Sequence, residues 1–228
     1  MCGRFAFYSP SEATAALFGV DGALAVEPGY NIAPTQYVAS VRENQERQRE
    51  LVMLRWGLVP FWAKDPSIGN RMINARAETV AEKPSFRAAF KHRRCLVLAD
   101  GYFEWHRDGD VKTPYYISLA SGEPFAFAAL WETWNDKESG DALQTTALIT
   151  MAANSFLEPI HDRMPLVLQP EAADIWMSGA KNSLEEVAAS IPPLRAWPVN
   201  RRVNNARNQG ADLIDADGEV LQQHPGTC

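Results

Sequence analysis

The second residue, Cys2, is the strongest candidate for chemistry, because removal of Met1 would make it the N-terminal residue. Cys2 would then carry a free α-amine beside its thiol. An α-amine has a pKa of ~7.7–8.0 against ~10.4 for lysine, so its neutral, nucleophilic fraction near pH 7 is roughly several hundred times larger. The thiol, with an ordinary pKa of ~8.5, is a second nucleophile on the adjoining carbon. This 1,2-aminothiol predicts covalent chemistry at the start of the chain.

Two reactions suit such a group, and the residues alone leave both open. Cys2 could attack an amide, as in the N-terminal-nucleophile glutamine amidotransferases that also begin Met-Cys-Gly. It could instead condense with an aldehyde as an imine, which the thiol closes into a five-membered thiazolidine with the advantage of an intramolecular step. Amidotransferases join a second domain to the glutaminase domain, and 228 residues leave little room for one. A third hypothesis is a non-catalytic nucleic-acid-binding module in which the Cys2 side chain is dispensable.

Composition predicts a single soluble domain in a reducing compartment. The chain is 46% hydrophobic, which suits a globular core, and no apolar run approaches the ~20 residues that span a bilayer. The start of the chain lacks the basic and apolar regions of a signal peptide. Cys2, Cys95 and Cys228 are odd in number and far apart, which favours the cytoplasm over a disulfide framework. Scattered histidines without a close cysteine pair indicate no zinc site, and we expect no cofactor and no membrane partner.

The net charge of −6 argues against a general affinity for nucleic acid, but the charge is uneven. Acidic residues concentrate at 136–141 and again after residue 211. A local basic groove on an acidic protein therefore remains open, beside the alternative of solvated surface charge. The basic residues cluster at Arg71 and Arg76, at Arg87, Lys91, Arg93 and Arg94, and at Arg201, Arg202 and Arg207.

Most predicted elements are strands. One helix is predicted to begin at Ser9-Pro10-Ser11-Glu12, with Ser9 as its cap, and to end at Gly19. Two more helices are predicted over Pro170–Ser178 and Ser183–Ser190. Many short strands with peripheral helices predict an α+β fold, a single domain with an antiparallel, barrel-like sheet at its core. The predicted strands cover 36–41, 51–56, Cys95–Ala99, Tyr102–His106, Tyr115–Leu119, Phe125–Leu130, Thr145–Met151 and Arg195–Val199.

Eight strings of residues together carry a family resemblance. They are MCGR at 1–4, YNIAPTQ at 30–36, RWGLVPFWAKD at 55–65, INARAET at 73–79, RRCLVLADGYFEW at 93–105, FAALWETW at 127–134, IHDRMPLVL at 160–168 and VNNARNQG at 203–210. In this order they resemble the SRAP family (SOS response-associated peptidases), also called abasic-site-processing proteins. The resemblance reaches about Ile214, so we expect an SRAP-like domain over residues 1–214 and an acidic, mobile tail over 215–228.

The resemblance implies a reaction and four residues that carry it out. Cys2 would form a thiazolidine with the ring-opened sugar aldehyde of an abasic site, giving a covalent DNA–protein crosslink. Asn74 would hydrogen-bond near the adduct and orient the N-terminus. Glu104 would be the acid/base group that helps to open the sugar, and His161 would assist proton transfer at the imine. A carboxyl and an imidazole titrating near neutrality suit these proton transfers.

The resemblance also implies a monomer that binds single-stranded DNA. Arg4, Arg76 and Arg163 would clamp the phosphate backbone, because guanidinium forks suit phosphate geometry. Pro34 and Trp62 would form an apolar wedge that splays the strands and stacks on a base, giving binding that tolerates any sequence. Some family members have Trp where this chain has Phe61. The alternative for Trp62 is core packing with Phe61 and Trp56. The family's peptidase name refers to unmasking Cys2, and here only Met1 precedes it.

Overall fold

A closed barrel of five strands lies at the centre of the computed structural model, which describes residues 2–22, 25–180 and 182–223. Strand β9 (Phe125–Asn135) pairs with strand β10 (Ala142–Ala152), and this pairing closes the ring. It runs from Asn135 opposite Ala142 to Ala129 opposite Leu148. Within the ring, β4 and β10 run parallel and the other neighbours run antiparallel. The predicted α+β fold with an antiparallel, barrel-like core is confirmed, with this one parallel joint. In order around the ring, the strands are β10 (Ala142–Ala152), β4 (Arg49–Trp56), β3 (Tyr37–Glu43), β6 (Arg94–Ala99) and β9 (Phe125–Asn135).

A second, six-stranded antiparallel sheet carries the start of the chain. Strand β7 (Gly101–Asp108) of this sheet follows β6 of the barrel along the chain, with only Asp100 between them. β1 pairs with β7, with Phe5 opposite Tyr102 and Ala6 opposite Gly101. This pairing brings Cys2 beside the GYFEW string. In spatial order, the strands are β14 (Leu221–Gln222), β13 (Leu194–Pro198), β8 (Val111–Leu119), β7 (Gly101–Asp108), β1 (Phe5–Phe7) and β2 (Gly29–Ile32).

Three short strands attach two further motif strings to the barrel. β5 (Asn74–Arg76) runs parallel to β10, and β11 (Arg163–Pro165) runs antiparallel to it. β12 (Val167–Leu168) pairs with β9. Thr150 of β10 lies opposite both Arg76 and Pro165, so the INARAET and IHDRMPLVL strings lie on either side of one strand.

In the described part of the chain, four α-helices lie outside the sheets: α1 (Ser11–Leu17), α2 (Arg87–His92), α3 (Pro170–Met177) and α4 (Ser183–Ala188). The predicted cap of the first helix is wrong. Pro10 occupies the cap position, and the Ser9 hydroxyl donates to the carboxylate of Asp100 instead. Gly19 follows α1 with a φ of 77°, a left-handed conformation that suits glycine and supports the predicted end of the helix. The residues that the structure describes contain no helix long and apolar enough to cross a membrane.

A continuous apolar cluster fills the barrel and extends to the N-terminus. The Phe5 ring contacts the rings of Trp56 and Phe127 edge-on, with centroids 5.3 and 5.6 Å apart. Trp56 is fully buried, and its indole nitrogen donates to the carbonyl of Ile73. Cys2 belongs to the same cluster. The core itself therefore anchors the segment that bears the predicted nucleophile.

The described residues beyond Ile214, which the sequence predicts to be a mobile tail, pair with the second sheet. β14 pairs with β13, and Ala216 forms a bridge with Val199. The backbone amides of Asp217 and Gln223 donate to carbonyls of Pro198 and Leu194, each at 2.8 Å. The tail therefore provides hydrogen-bond partners for backbone groups at the edge of β13. No motif in the tail sequence indicates this pairing. Residues 224–228 of the predicted tail lie outside the described residues.

Candidate active site

Strand β7 positions Glu104, a residue that is only 3% exposed. Side chains alternate along a strand, so Tyr102 and Glu104 point to one face while Phe103 points to the other. Tyr102 accordingly joins the main core, whereas Phe103 packs with Tyr116 in a separate cluster. Burial raises the pKa of the Glu104 carboxyl, and the positive charge of protonated His161 offsets part of the rise. Such a carboxyl can hold its proton closer to neutral pH and so serve as a general acid.

Cys2 is fully buried and held by its own backbone. The side-chain amide of Asn74 donates to the Cys2 carbonyl at 2.7 Å, and the thiol faces the carbonyl of Arg4 at 3.9 Å. Burial, and after it the negative charge of Glu104, raises the pKa of the Cys2 thiol well above its ordinary value. The sulfur is therefore a neutral thiol in this structure and needs a base to react.

His161 lies in the connection between β10 and β11 and faces Glu104. Its Nε2 is 3.8 Å from Oε2 of Glu104. Its Nδ1 accepts a hydrogen bond from the backbone amide of Arg163 at 3.0 Å, which puts the proton of the neutral ring on Nε2, toward Glu104. The carboxylate of the exposed Asp162 lies 2.9 Å from the same Nδ1 and competes for it when that nitrogen is protonated. The ring can therefore present a proton to the buried carboxyl.

The structure brings the four predicted catalytic residues together from four separate segments. Cys2 comes from the N-terminus, Asn74 from β5, Glu104 from β7 and His161 from the segment before β11. Asn74 contacts Cys2, His161 lies beside Glu104, and the charge of Glu104 acts on the Cys2 thiol. Among the described residues no three of His, Cys, Asp and Glu group as metal ligands would. The arrangement can supply a nucleophile, a general acid and a second proton donor.

Arg4, the first predicted phosphate clamp, makes contacts within the protein. Its Nη1 donates to Oδ1 of Asn31 at 2.7 Å and to the carbonyl of Val203 at 2.9 Å. Asn31 is fully buried, and its amide nitrogen donates to the carbonyls of Val203, Asn205 and Asn208. Burial lowers the pKa of Arg4. Sequence reasoning missed Asn31, although it lies in the YNIAPTQ string. Arg4 and Asn31 together tie the VNNARNQG segment to β1 and β2.

Arg163, the third predicted clamp, already has a carboxylate partner. Its two terminal nitrogens reach the two oxygens of Glu78 at 2.5 and 3.0 Å, and Nη2 also donates to the carbonyl of Thr150 at 2.8 Å. Its side chain is only 14% exposed. Arg76, by contrast, is exposed and donates no hydrogen bond to another described residue, although its charge reaches Glu78. Of the three predicted clamps, Arg76 has the guanidinium best placed for a phosphate.

The two residues of the predicted wedge reach the surface. Pro34 is half-buried in a turn that continues into Thr35, whose φ of 77° is rare for a non-glycine residue. Trp62 is 49% exposed and Phe61 is 59% exposed, whereas Trp56 is fully buried. The alternative that Trp62 packs in the core with Phe61 and Trp56 is therefore wrong. An exposed indole of this size is available to stack on a base.

Several cationic side chains of the expected basic groove are paired within the protein. Arg93 bonds to Glu132 at 2.5 Å, and Arg202 forms an ion pair with Asp212. Arg94 donates to the carbonyl of Trp176 and packs its guanidinium over that indole, 4.4–4.5 Å from two aromatic rings. The charge clusters read from the sequence therefore overstate the positive charge that is free to meet DNA.

Sequence reasoning also missed Tyr102, whose hydroxyl is buried and has no hydrogen-bond partner among the described residues. The same is true of Oδ1 of Asn74. Tyr102 belongs to the same core cluster as Cys2, and Asn74 donates to the Cys2 carbonyl. The signal for Tyr102 is its position two residues before Glu104 on the same strand, which places both side chains on one face.

The fold and the site define a member of one protein family. The family model described as SOS response associated peptidase (SRAP) matches residues 1–206. The chain belongs to this family, as the resemblance of the eight strings predicted.

Three similar proteins align with most of this chain. The abasic site processing protein YoaM of Bacillus subtilis (strain 168) is 38% identical over 229 residues, covering 96% of this chain and 100% of YoaM. YedK of Escherichia coli (strain K12), which carries the same description, is 40% identical over 94% of this chain and 99% of its own. The abasic site processing protein HMCES of Xenopus tropicalis is 30% identical over 88% of this chain and 69% of its own.

Solved structures show the same architecture. A protein from Bacteroides thetaiotaomicron superposes with a TM-score of 0.82 at 24% identity, covering 94% of this chain and 99% of the other. A phage-related protein from Bordetella bronchiseptica superposes with a TM-score of 0.70 at 29% identity, covering 88% of this chain and 95% of the other. The first of these similarities supports the fold alone.

Proposed function

We propose that this protein captures abasic sites in single-stranded DNA by forming a thiazolidine crosslink through Cys2 once Met1 has been removed. The observation that carries the proposal is the hydrogen bond that holds the Cys2 carbonyl to Asn74 at 2.7 Å, beside the buried Glu104. The relatives YoaM, YedK and HMCES are named abasic site processing proteins, and an opened abasic sugar presents an aldehyde. An aldehyde is the partner that a 1,2-aminothiol captures most readily.

The first bond forms between the α-amine nitrogen of Cys2 and the C1′ aldehyde carbon of the opened sugar, giving a carbinolamine. The protonated carboxyl of Glu104 then gives its proton to the carbinolamine hydroxyl, which leaves as water. The products of this step are an iminium ion and the Glu104 carboxylate. The raised pKa of Glu104 suits it to hold the proton that the step requires.

The second bond closes the ring. The Glu104 carboxylate takes the thiol proton as the Cys2 sulfur attacks the iminium carbon, and the iminium nitrogen becomes a neutral ring amine. One water has been lost, no electron has been transferred, and Glu104 has its proton again. The thiol needs such a base because burial keeps it protonated. His161, 3.8 Å from Glu104, would exchange protons with the sugar oxygens during ring opening and at the imine.

DNA would reach the site as a single strand. Arg76 is exposed at the end of β5, the strand that begins with Asn74, and would bind a phosphate next to the abasic sugar. Arg4 and Arg163 would contribute only if phosphate replaced their present partners. Trp62 and Pro34 would occupy the space of a pairing strand. We infer a monomer acting in the cytoplasm on chromosomal DNA during the damage response.

The test is a crosslinking assay with abasic single-stranded DNA, read on a denaturing gel. Cys2→Ala should form no stable adduct yet bind the DNA as tightly as the wild type, because the thiol closes the ring but adds little affinity. Cys95→Ala is the matched control, since Cys95 is the other buried thiol of the described residues and burial raises its pKa to about 12. This control should crosslink normally. A stable adduct at wild-type yield from Cys2→Ala would falsify the thiazolidine mechanism.

Unmasking is tested in the same samples by intact-mass measurement. Protein that retains Met1 should not crosslink, because the Cys2 nitrogen is then an amide without a usable lone pair. Normal crosslinking by protein whose mass includes Met1 would contradict the proposal. Release of ammonia from glutamine without adduct formation would favour the amidohydrolase instead.

A further inference from the structure

The hydroxyl of Tyr102 is one of two buried tyrosine hydroxyls that lack a hydrogen-bond partner among the described residues, and it is the one in the core cluster that contains Cys2. Tyr102 is fully buried, and its hydroxyl finds no hydrogen-bond partner among the residues that the structure describes. Nearly all buried polar groups in proteins form hydrogen bonds, because a buried group without a partner loses its hydrogen bonds to water with no compensation. An exception at a reactive site is often a group held ready for a substrate.

The fold points this hydroxyl toward the reacting residues. Tyr102 and Glu104 lie on the same face of β7, and Tyr102 pairs with Phe5, three residues after Cys2. The ring is held by packing, with the Phe127 ring edge-on at 6.0 Å. Charges on Glu104 and Cys2 both act on the phenol and, after burial, raise the pKa of Tyr102 well above its ordinary value. The group is therefore a neutral hydrogen-bond donor at every physiological pH.

A second buried tyrosine shows that burial alone does not select Tyr102. Tyr116 is 1% exposed and its ring packs against Phe103 and Trp197. It belongs to the separate cluster on the other face of β7, and its hydroxyl likewise meets no hydrogen-bond partner among the described residues, although the phenol of Tyr8 influences it. Neither Cys2 nor Glu104 acts on it. Position beside the nucleophile and the acid is what sets Tyr102 apart.

We propose that the Tyr102 hydroxyl is a catalytic group that donates a hydrogen bond to the sugar oxygen leaving as water from the carbinolamine. This inference rests on the proposed function. That oxygen has two lone pairs, so it can accept from Tyr102 while Glu104 delivers the proton. A fixed donor in a water-excluded site stabilises the charge that shifts during the step without reorganising. Oδ1 of Asn74, also without a partner among the described residues, is placed to accept from the nitrogen of the same intermediate.

Tyr102→Phe tests the role, because it removes one oxygen and keeps the ring. We expect single-turnover crosslinking to slow by about 100-fold, the low end of the cost of losing one such donor. Binding of abasic single-stranded DNA, measured in the Cys2→Ala background, should stay within twofold. The unfolding midpoint should stay the same or rise, since the variant no longer buries an unsatisfied hydroxyl. The pH dependence of the rate should keep its shape, because the phenol does not titrate in that range.

Tyr116→Phe is the matched control and should crosslink at the wild-type rate. A Tyr102→Phe rate within twofold of the wild type would overturn the proposal. So would a slower rate accompanied by a lower unfolding midpoint, which would indicate a structural role. If the wild type forms no adduct at all, the proposed function fails and this inference fails with it. If the wild type crosslinks and Tyr102→Phe crosslinks equally fast, only the role of Tyr102 is refuted.

Discussion

Nε2 of His161 lies 3.8 Å from Oε2 of Glu104, close enough for their charges to interact and too far for a direct hydrogen bond. The amide of Arg163 donates to the other ring nitrogen, Nδ1, and Oδ1 of Asp162 lies 2.9 Å from that atom. The imidazole is therefore oriented by its own connection, and the carboxyl by β7. A substrate oxygen between them could exchange protons with both. Because of this spacing, we treat Glu104 and His161 as two proton-transfer groups that act at different points of the reaction.

Replacing Glu104 with Gln should slow crosslinking strongly without abolishing it. Loss of a positioned general acid typically costs ~10²–10⁴ in rate. Some activity should remain because solvent can protonate the carbinolamine hydroxyl and accept the thiol proton at a lower rate. Single-turnover crosslinking across pH measures the effect. A rate within about twofold of the wild type would remove Glu104 from the mechanism.

The same substitution should stabilise the protein in a pH-dependent way. Burial raises the folded-state pKa of Glu104, so the folded protein holds this proton more tightly than the unfolded chain does. The wild type therefore loses stability as the pH rises from the ordinary carboxyl pKa through the raised one. Glu104→Gln, which does not titrate, should unfold at a higher temperature than the wild type at pH 8 and at a similar temperature near pH 4. Equal differences at both pH values would contradict the assigned burial.

His161→Ala should slow both formation and release of the adduct. A group that helps to build the imine also helps to break it, by microscopic reversibility. The two rates are measured by single-turnover crosslinking and by a chase of preformed adduct with competitor DNA. His92→Ala, at an exposed histidine of α2, is the control and should change neither rate. If His161→Ala leaves both rates within about twofold, proton transfer does not involve this ring.

Arg76→Ala and Arg163→Ala should have different effects. Arg76 is exposed, so its loss should weaken binding of single-stranded DNA and reduce the salt slope by about 0.7, the contribution of one phosphate contact. Arg163 is bonded to Glu78 and Thr150, so its loss should mainly lower the free energy of unfolding, by about 1–2 kcal/mol.

Lys137→Ala serves as the charge-matched control, because Lys137 lies in the exposed acidic turn after β9. Binding titrations at several salt concentrations and urea unfolding of all three variants supply the comparison. A large salt-dependent loss from Arg163→Ala with unchanged stability would show that phosphate displaces Glu78.

Trp62→Ala should weaken binding while leaving stability almost unchanged. The indole is 49% exposed, so its removal should alter the free energy of unfolding by about 0.5 kcal/mol or less. The loss of base stacking should reduce affinity for single-stranded DNA by about 1–3 kcal/mol. Wild-type crosslinking should also fall as a complementary strand is extended across the abasic site. Equal reaction of wild type with continuous duplex would contradict the wedge.

Truncation after Ile214 should lower the unfolding midpoint. The truncated chain loses the pairing of β14 with β13 and the bridge of Ala216 to Val199, and it exposes the edge of β13. An open strand edge also favours self-association. Thermal unfolding and sedimentation of the truncated and full chains measure both effects. An unchanged midpoint would show that the tail contributes nothing to stability.

The sequence alone determined the features that depend on residue type and local pattern. The position of Cys2 after Met1 predicted the nucleophile, because the chemistry follows from having an amine and a thiol on neighbouring carbons. Short apolar runs bounded by turn residues predicted most strands, including the two that the structure pairs as β7 and β8. The barrel-like α+β core followed from the number and shortness of these strands. α2 and six strands of two to four residues (β1, β2, β5, β11, β12 and β14) went unpredicted, because such short elements carry too little local pattern.

Only the tertiary structure decided which of those residues meet. Arg163 is read from the sequence as a free cation, but packing of β5 beside β10 supplies it with Glu78. Tyr102 carries no sequence signal of its own, and its role emerges from the register that sets it opposite Phe5. The tail looks unstructured until the edge of β13 offers it hydrogen bonds. These relationships join residues far apart in the chain, so they depend on strand register and close packing, which no local pattern of residue types encodes.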